Sequence, residues 1–231
     1  MNKKTTSMRK TAVLSTAAAL LIAAASCTVK SEPQYATYMT AVSEEPCDGA
    51  VSYLVTDDSV KVYPANFFQT ISTLRNNQRV FASFTIPSGK ITDPVEVEFS
   101  SIGVLEKDTI FTTQDMATMK NDRMTVTSAW HSGGIYGAGR FLTMTFKYMG
   151  SGYSGHTMHL VDDISADNPD QQGYWHLHVR HDTNNDPELN TYSGILTYPL
   201  DDKYTAPDIK GLIIEFSPLT PSADSTVVVN Y

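Results

Sequence analysis

Val95-Glu96-Val97-Glu98-Phe99 decides how the rest of the chain is read. Three apolar side chains alternate with two carboxylates. A repeat of two is the mark of an extended strand with one face buried and the other in water. Working outward, Val80, Ala82, Phe84 and Ile86 share one face and stop at Pro87-Ser88-Gly89. Asp57-Asp58 supplies a turn between Val51, Tyr53, Val55 and the run Val60-Lys61-Val62-Tyr63, and a first strand is expected near residues 35–41. In the other direction, Met124, Val126, Ser128 and Trp130 are expected on one face, as are Leu142, Met144, Phe146 and Tyr148. Further strands are expected near 156–161, 174–180, 191–198, 211–216 and 226–231. Residues 112–123 break the alternation and read as a loop or single helical turn at a domain boundary. Short strands separated by Gly, Asn, Asp and Pro turns indicate a barrel or sandwich. The strand–helix–strand rhythm of an α/β enzyme is missing.

The N-terminus carries a different signal. Lys3, Lys4, Arg9 and Lys10 precede an uncharged, Ala- and Leu-rich stretch that closes on Ala24-Ala25-Ser26-Cys27. Small residues before a cysteine suit a lipoprotein-type signal peptidase. The apolar run is shorter than the roughly 20 residues a bilayer crossing requires. Residues 1–26 are therefore expected to be a signal peptide. Cys27 is expected to carry the diacylglyceryl and palmitate chains, more than one acyl chain being what stable anchoring takes. Removing the leader's four basic residues leaves 13 Lys+Arg against 25 Asp+Glu, a formal charge of −12. A body this acidic repels nucleic acid and anionic lipid, so no nucleic-acid partner is expected and the lipid must supply the membrane attachment. The only other cysteine is Cys47, which excludes an internal disulfide and a multi-cysteine zinc site. Its acidic neighbours Glu44, Glu45 and Asp48 disfavour a reactive thiolate.

Several motifs also carry a resemblance. Asp58-Ser59-Val60-Lys61-Val62-Tyr63-Pro64, Arg79-Val80-Phe81-Ala82-Ser83-Phe84 and residues 102–108 resemble the NigD-like lipoprotein family. So do Leu142-Thr143-Met144-Thr145-Phe146, His156-Thr157-Met158-His159-Leu160-Val161, Leu177-His178-Val179-Arg180-His181-Asp182 and Gly194-Ile195-Leu196. The resemblance implies an all-β chain: a small OB-like barrel followed by an immunoglobulin-like antiparallel β-sandwich. The expected division is a signal peptide at 1–26, a tether at 27–36, the OB-like domain at 37–111 and the sandwich at 112–231. The family name comes from a bacteriocin-associated locus and brings no functional residues with it.

The six histidines are the first candidates for chemistry. In Tyr174-Trp175-His176-Leu177-His178-Val179-Arg180, strand parity puts Trp175, Leu177 and Val179 on one face and His176, His178 and Arg180 on the other. With His159 on a neighbouring strand, three imidazoles could hold zinc or copper. Arg180 on the same face opposes a cation, and no H-E-x-x-H arrangement is present. Asp182-Thr183-Asn184-Asn185-Asp186 imitates the start of a calcium loop, but Pro187 stands where that loop requires glycine, so it reads as a turn. Asp162-Asp163 with Asp167-Asn168-Pro169-Asp170 reads the same way. The glycine-rich run 133–139 lacks a phosphate-loop ending and reads as a flexible connection. Ser154 lacks the G-x-S-x-G spacing of a hydrolase elbow. Exposed Tyr beside Trp130 or Trp175 could contact a glycan or peptide.

The expected function is that of a non-enzymatic envelope lipoprotein that binds a protein or glycan partner or serves as a structural accessory, with no cofactor. The alternative is a metal-dependent hydrolase using His159, His176 and His178. An outer-membrane address is expected, the periplasmic face being favoured because Thr28-Val29-Lys30-Ser31-Glu32 holds one acid and one base.

Overall fold

The structure, a computed structural model, describes residues 33–44, 50–66, 71–92, 94–152, 155–166, 168–170 and 172–231. The expected signal peptide 1–26, Cys27, Cys47, Ser154 and Asp167 lie outside the described residues.

Five strands close a barrel: β1 (Gln34–Val42), β2 (Tyr53–Thr56), β3 (Lys61–Pro64), β4 (Arg79–Thr85) and β5 (Val95–Val104), in the order β1-β2-β3-β5-β4. β1 is long enough to pair with β2 at one end and β4 along most of its length, and a parallel pairing of β3 with β5 completes the ring. This is the order of an OB-like barrel. The alternation of the opening motif is realised in β5, where Val95, Val97 and Phe99 are buried and Glu96 and Glu98 exposed. Met39, Leu54, Val62, Val80, Ala82 and Phe84 join them, with Ile71 and Leu74 packed against the same cluster.

The second half holds β6 (Ile110–Thr113), β7 (Met124–Ser132), β8 (Phe141–Gly150), β9 (Thr157–Asp163), β10 (Tyr174–Asp182), β11 (Asn190–Pro199), β12 (Gly211–Glu215) and β13 (Thr226–Asn230). They form a five-stranded sheet, β13-β12-β10-β9-β6, and a three-stranded sheet, β11-β8-β7. Leu142, Met144, Phe146, Leu160, Leu177, Val179, Leu212 and Ile214 share the core between them. The chain is thus all-β, a barrel followed by a sandwich. The three-stranded sheet is antiparallel, whereas the larger sheet is mixed, because β10 runs parallel to β12 and β6 parallel to β9.

Three expectations are revised. β1 begins within the expected tether, and the division at 111/112 falls inside β6. β6 is an edge strand whose two central residues are exposed, so its apolar pattern carries no period-two signal. In β7, a register shift between Val126 and Ser128 breaks the expected common face. Met124 and Val126 stay in the core, while Trp130 pairs with Thr143. The glycine-rich run is not a loose connection: it docks on the barrel. Tyr53 Oη donates to the Tyr136 carbonyl at 2.8 Å, the Gly139 amide donates to Asn77 Oδ1 at 2.7 Å, and Ala138 packs with Val42, Tyr53 and Val55.

The turned-out Trp130 meets the barrel at an ion pair. Arg79, its side chain wholly buried, binds Asp57 through both carboxylate oxygens at 2.5 and 2.8 Å. It also donates to Thr40 Oγ1 and Thr143 Oγ1, at 3.0 and 3.1 Å, and Trp130 Nε1 donates to Asp57 Oδ2 at 2.7 Å. Barrel and sandwich thus share one polar network, and both lie in one compact unit.

Candidate functional site

One edge of the sandwich is only partly closed. The segment after β5 runs parallel to β11 at Thr197: the Thr197 amide donates to the Glu106 carbonyl at 3.0 Å, and the Asp108 amide to the Thr197 carbonyl at 2.9 Å. It then crosses to the other sheet as β6, which pairs with β9 only from Leu160 onward. Among the described residues, no strand pairs with residues 157–159 of β9 on that side. Between them and β11 lies a cleft of about 550 Å³, lined by Phe146, Tyr148, His156, Met158, His181 and residues 193–196. Clefts of this volume fall in the range of ligand sites.

A chain of polar groups forms one end of the cleft. His181 continues the inward parity of Trp175, Leu177 and Val179 and is buried. Its Nδ1 faces the Arg123 carbonyl at 3.3 Å, its Nε2 faces His156 Nδ1 at 2.9 Å, and His156 Nε2 faces Asp186 Oδ2 at 3.0 Å. Asp186 also accepts from the Ser151 hydroxyl and, at 2.6 Å, from the Ser151 amide. These donors, the serine first, hold the Asp186 carboxyl down at about 2. Gly150 permits this geometry, since a Cβ there would lie 2.7 Å from Asp186 Oδ2 and 3.0 Å from His156 Nε2. Tyr148 packs on His156, His181 and Tyr192, with ring centroids 4.8, 5.8 and 5.7 Å away.

Proton bookkeeping shows what this chain can hold. Both ends are acceptors, so His181 Nδ1 and His156 Nε2 must each carry a proton, and the contact between the rings needs a third. Three protons on two imidazoles is one net positive charge, balanced by Asp186. Burial pushes His181 below the usual histidine range, and neighbouring His156 pushes it further. A depressed histidine contributes stability above its unfolded value of about 6.5, and that stability is lost as pH falls through the folded value. Chemical denaturation as a function of pH is expected to show stability falling below about pH 6.5. His181→Gln is expected to reduce that slope by about one proton; an unchanged slope would refute the assignment.

The residues expected from sequence lie elsewhere, on the outer face of the larger sheet. His176, His178 and Arg180 do share that face, and His159 pairs with Arg180. His159 therefore stands one pair beyond His178, with its ring centroid 5.7 Å from that of Phe111. His176 is engaged on both nitrogens, by Glu215 at 2.9 Å and Asp170 at 3.1 Å, and His178 Nδ1 lies 3.5 Å from Glu215. Among the described residues no group of three His, Cys, Asp or Glu side chains is placed to hold a metal ion. The segment 182–186 is a turn with Asn184 and Asn185 at positive φ. Asp162 serves no loop: it points inward from β9 and is buried. The sequence reading did not single out His156, His181 or Asp186 as a unit. Strand parity gave the inward direction of His181, but nothing local joins residues 151, 156 and 186.

Among solved structures, the chain is similar to a protein of unknown function from Bacteroides vulgatus, with TM-score 0.67 and 17% identity over 86% of this chain and 90% of that one. It is also similar to a protein from Parabacteroides distasonis whose name relates it to a toxin, with TM-score 0.64 and 18% identity over 86% and 93% of the two chains. A NigD-like immunity protein from Bacteroides caccae matches with TM-score 0.57 and 19% identity over 87% and 93%. These likenesses show the fold. No curated protein matches the sequence. The NigD-like C-terminal beta sandwich domain matches residues 108–229, the segment from before β6 to within β13, and the chain belongs to that NigD-like family.

Proposed function

We propose that this NigD-like protein is a lipid-anchored accessory of the cell envelope that works by binding a partner in the cleft at the sandwich edge. The observation that carries this reading is the way the cleft's polar groups are committed to one another. His156 has both ring nitrogens engaged, by His181 and Asp186. The Ser151 hydroxyl donates to Asp186 and not to an imidazole. A nucleophile needs a base able to take its proton, and the group in reach of this hydroxyl is a carboxylate held down at about 2. An open cleft of mixed polar and apolar lining, with one end held in a fixed polar chain, suits recognition.

The address rests on Cys27, outside the described residues, and on the leader before it. On this reading the body stands at the outer membrane, on the periplasmic face rather than the cell surface. Among the described residues no helix is long and apolar enough to cross a membrane. Fold relatives named as an immunity protein and as toxin-related support an accessory role over a metabolic one.

The test combines address with contact. The full-length precursor carrying a photo-crosslinking residue at position 193 is expected to pellet with membranes and give one discrete higher-mass adduct on illumination. With Cys27→Ser added, the protein is expected in the soluble fraction without the adduct. Membrane retention of the serine variant, or no adduct from the anchored protein, would overturn the proposal.

A further inference from the structure

We infer that the occupant of the cleft is an extended polypeptide segment that adds as a strand to the free edge of β11, hydrogen-bonding to the backbone of Ser193 and Ile195. This rests on the binding reading above and specifies its mode.

The inference comes from strand parity. β11 pairs with β8 in an unbroken antiparallel register from Asn190↔Gly150 to Pro199↔Phe141. In such a ladder, a residue directs its amide and carbonyl to the same side, and the side alternates. Thr197 directs both groups away from β8, to Glu106 and Asp108. Ser193 and Ile195, four and two residues earlier, therefore present theirs toward the same outer edge. Among the described residues no donor or acceptor meets them there. Residues 106–108 thus make the first rung of a parallel ladder along this edge and then leave it. An unpaired row of alternating donors and acceptors is matched by another backbone, since rigid small molecules do not reproduce its spacing.

The surroundings suit the same occupant. A strand beside β11 projects alternate side chains into the space between the sheets, where Phe146, Tyr148 and Met158 line the cleft. Gly194 presents no side chain on that inner side, and a Cβ there would overlap the Phe146 ring. On the outward side, Ser193 is exposed and Ile195 half-buried. Residues 157–159 bound the opposite wall, beyond the reach of β6.

A random linear peptide library displayed on phage, panned against the full-length protein in detergent, supplies the probe. Selected peptides are expected to slow hydrogen exchange at the Ser193 and Ile195 amides. N-methylation at alternate peptide positions is expected to weaken binding by about tenfold at every second residue, or ~1.4 kcal/mol each. Ile195→Pro removes one donor while leaving the β8 ladder intact, because that amide faces away from β8, and is expected to weaken binding by a similar factor. The N-methyl series reads the same contact on the unaltered protein if that variant fails to fold. Peptides that bind without protecting either amide, or without the alternating N-methyl pattern, would overturn strand addition while leaving the binding reading standing. Enrichment of no peptide would overturn it too, and the crosslinking adduct then decides the binding reading separately. Protection of these amides by a second copy of the chain, with dimers lost in Ile195→Pro, would also overturn it.

Discussion

Asp57→Ala is expected to destabilise the folded chain by about 3–5 kcal/mol, the cost of leaving a buried charge without its counter-ion. The Arg79 guanidinium has no exposed side-chain surface, and Asp57 is 14% exposed. Arginine stays protonated at any working pH, so the folded state cannot neutralise the charge left behind. Thr40 and Thr143 remain as neutral acceptors, but Arg79 Nε already lacks a partner. Trp130 Nε1 loses its acceptor as well. The double variant Asp57→Leu with Arg79→Met separates two explanations. Replacing both partners by apolar groups removes the orphaned charge, so the double variant is expected to be more stable than Asp57→Ala. Urea denaturation followed by circular dichroism measures both. A loss below about 1 kcal/mol for Asp57→Ala would mean that the pair behaves as a solvent-screened surface bridge.

This pair also shows where reading a sequence stops. Val95, Val97 and Phe99 were legible because each buries against the same core while Glu96 and Glu98 face water, so the local pattern mirrors the environment. Asp57 reads as a turn former and Arg79 as the polar start of a strand. Their meeting depends on closing the barrel, which no window of sequence contains. Trp130 was expected with Met124 and Val126. One inserted residue in β7 turned it toward Asp57, and a bulge of this kind has no compositional marker here. β6 was missed because an edge strand with exposed central residues buries too little to impose alternation.

The candidate site divides in the same way. Parity along Tyr174-Trp175-His176-Leu177-His178-Val179-Arg180 sorted the two faces of β10 correctly, with Leu177 and Val179 in the core. The histidines that stand out in that segment are those of the outer face, where Glu215 and Asp170 engage His176. His181 lies on the other face and meets His156 and Asp186 across two turns. The open edge of β11 is a property of register between distant segments, visible only once Thr197 is seen bonded to Glu106 and Asp108.

Asp162→Ala is expected to cost about 3 kcal/mol or more, from two buried donors left without an acceptor at about 1–3 kcal/mol each. Asp162 is 1% exposed inside β9. Its Oδ1 accepts from Trp175 Nε1 at 3.0 Å, and its Oδ2 accepts from Lys203 Nζ at 2.7 Å and Tyr204 Oη at 3.0 Å. Burial, with the carboxylate beside it, pushes the Tyr204 hydroxyl far above the usual phenol range, so it stays protonated and keeps donating. Lys203, its own side chain 40% exposed, is the counter-ion of this buried carboxylate, so Lys203→Met leaves the charge with two neutral donors and is expected to cost about 3 kcal/mol. Asp162→Asn keeps an acceptor for Trp175 but aims an amide at an ammonium, and is expected to cost less than Asp162→Ala. The chain's two tryptophans report on different networks, Trp130 on the barrel contact and Trp175 on this one. In a Trp130→Phe background, emission therefore follows Trp175 alone. An Asp162→Ala variant that unfolds at the parent's urea midpoint, with unchanged Trp175 emission, would show that the carboxylate is not what holds β9 against the chain around Tyr204.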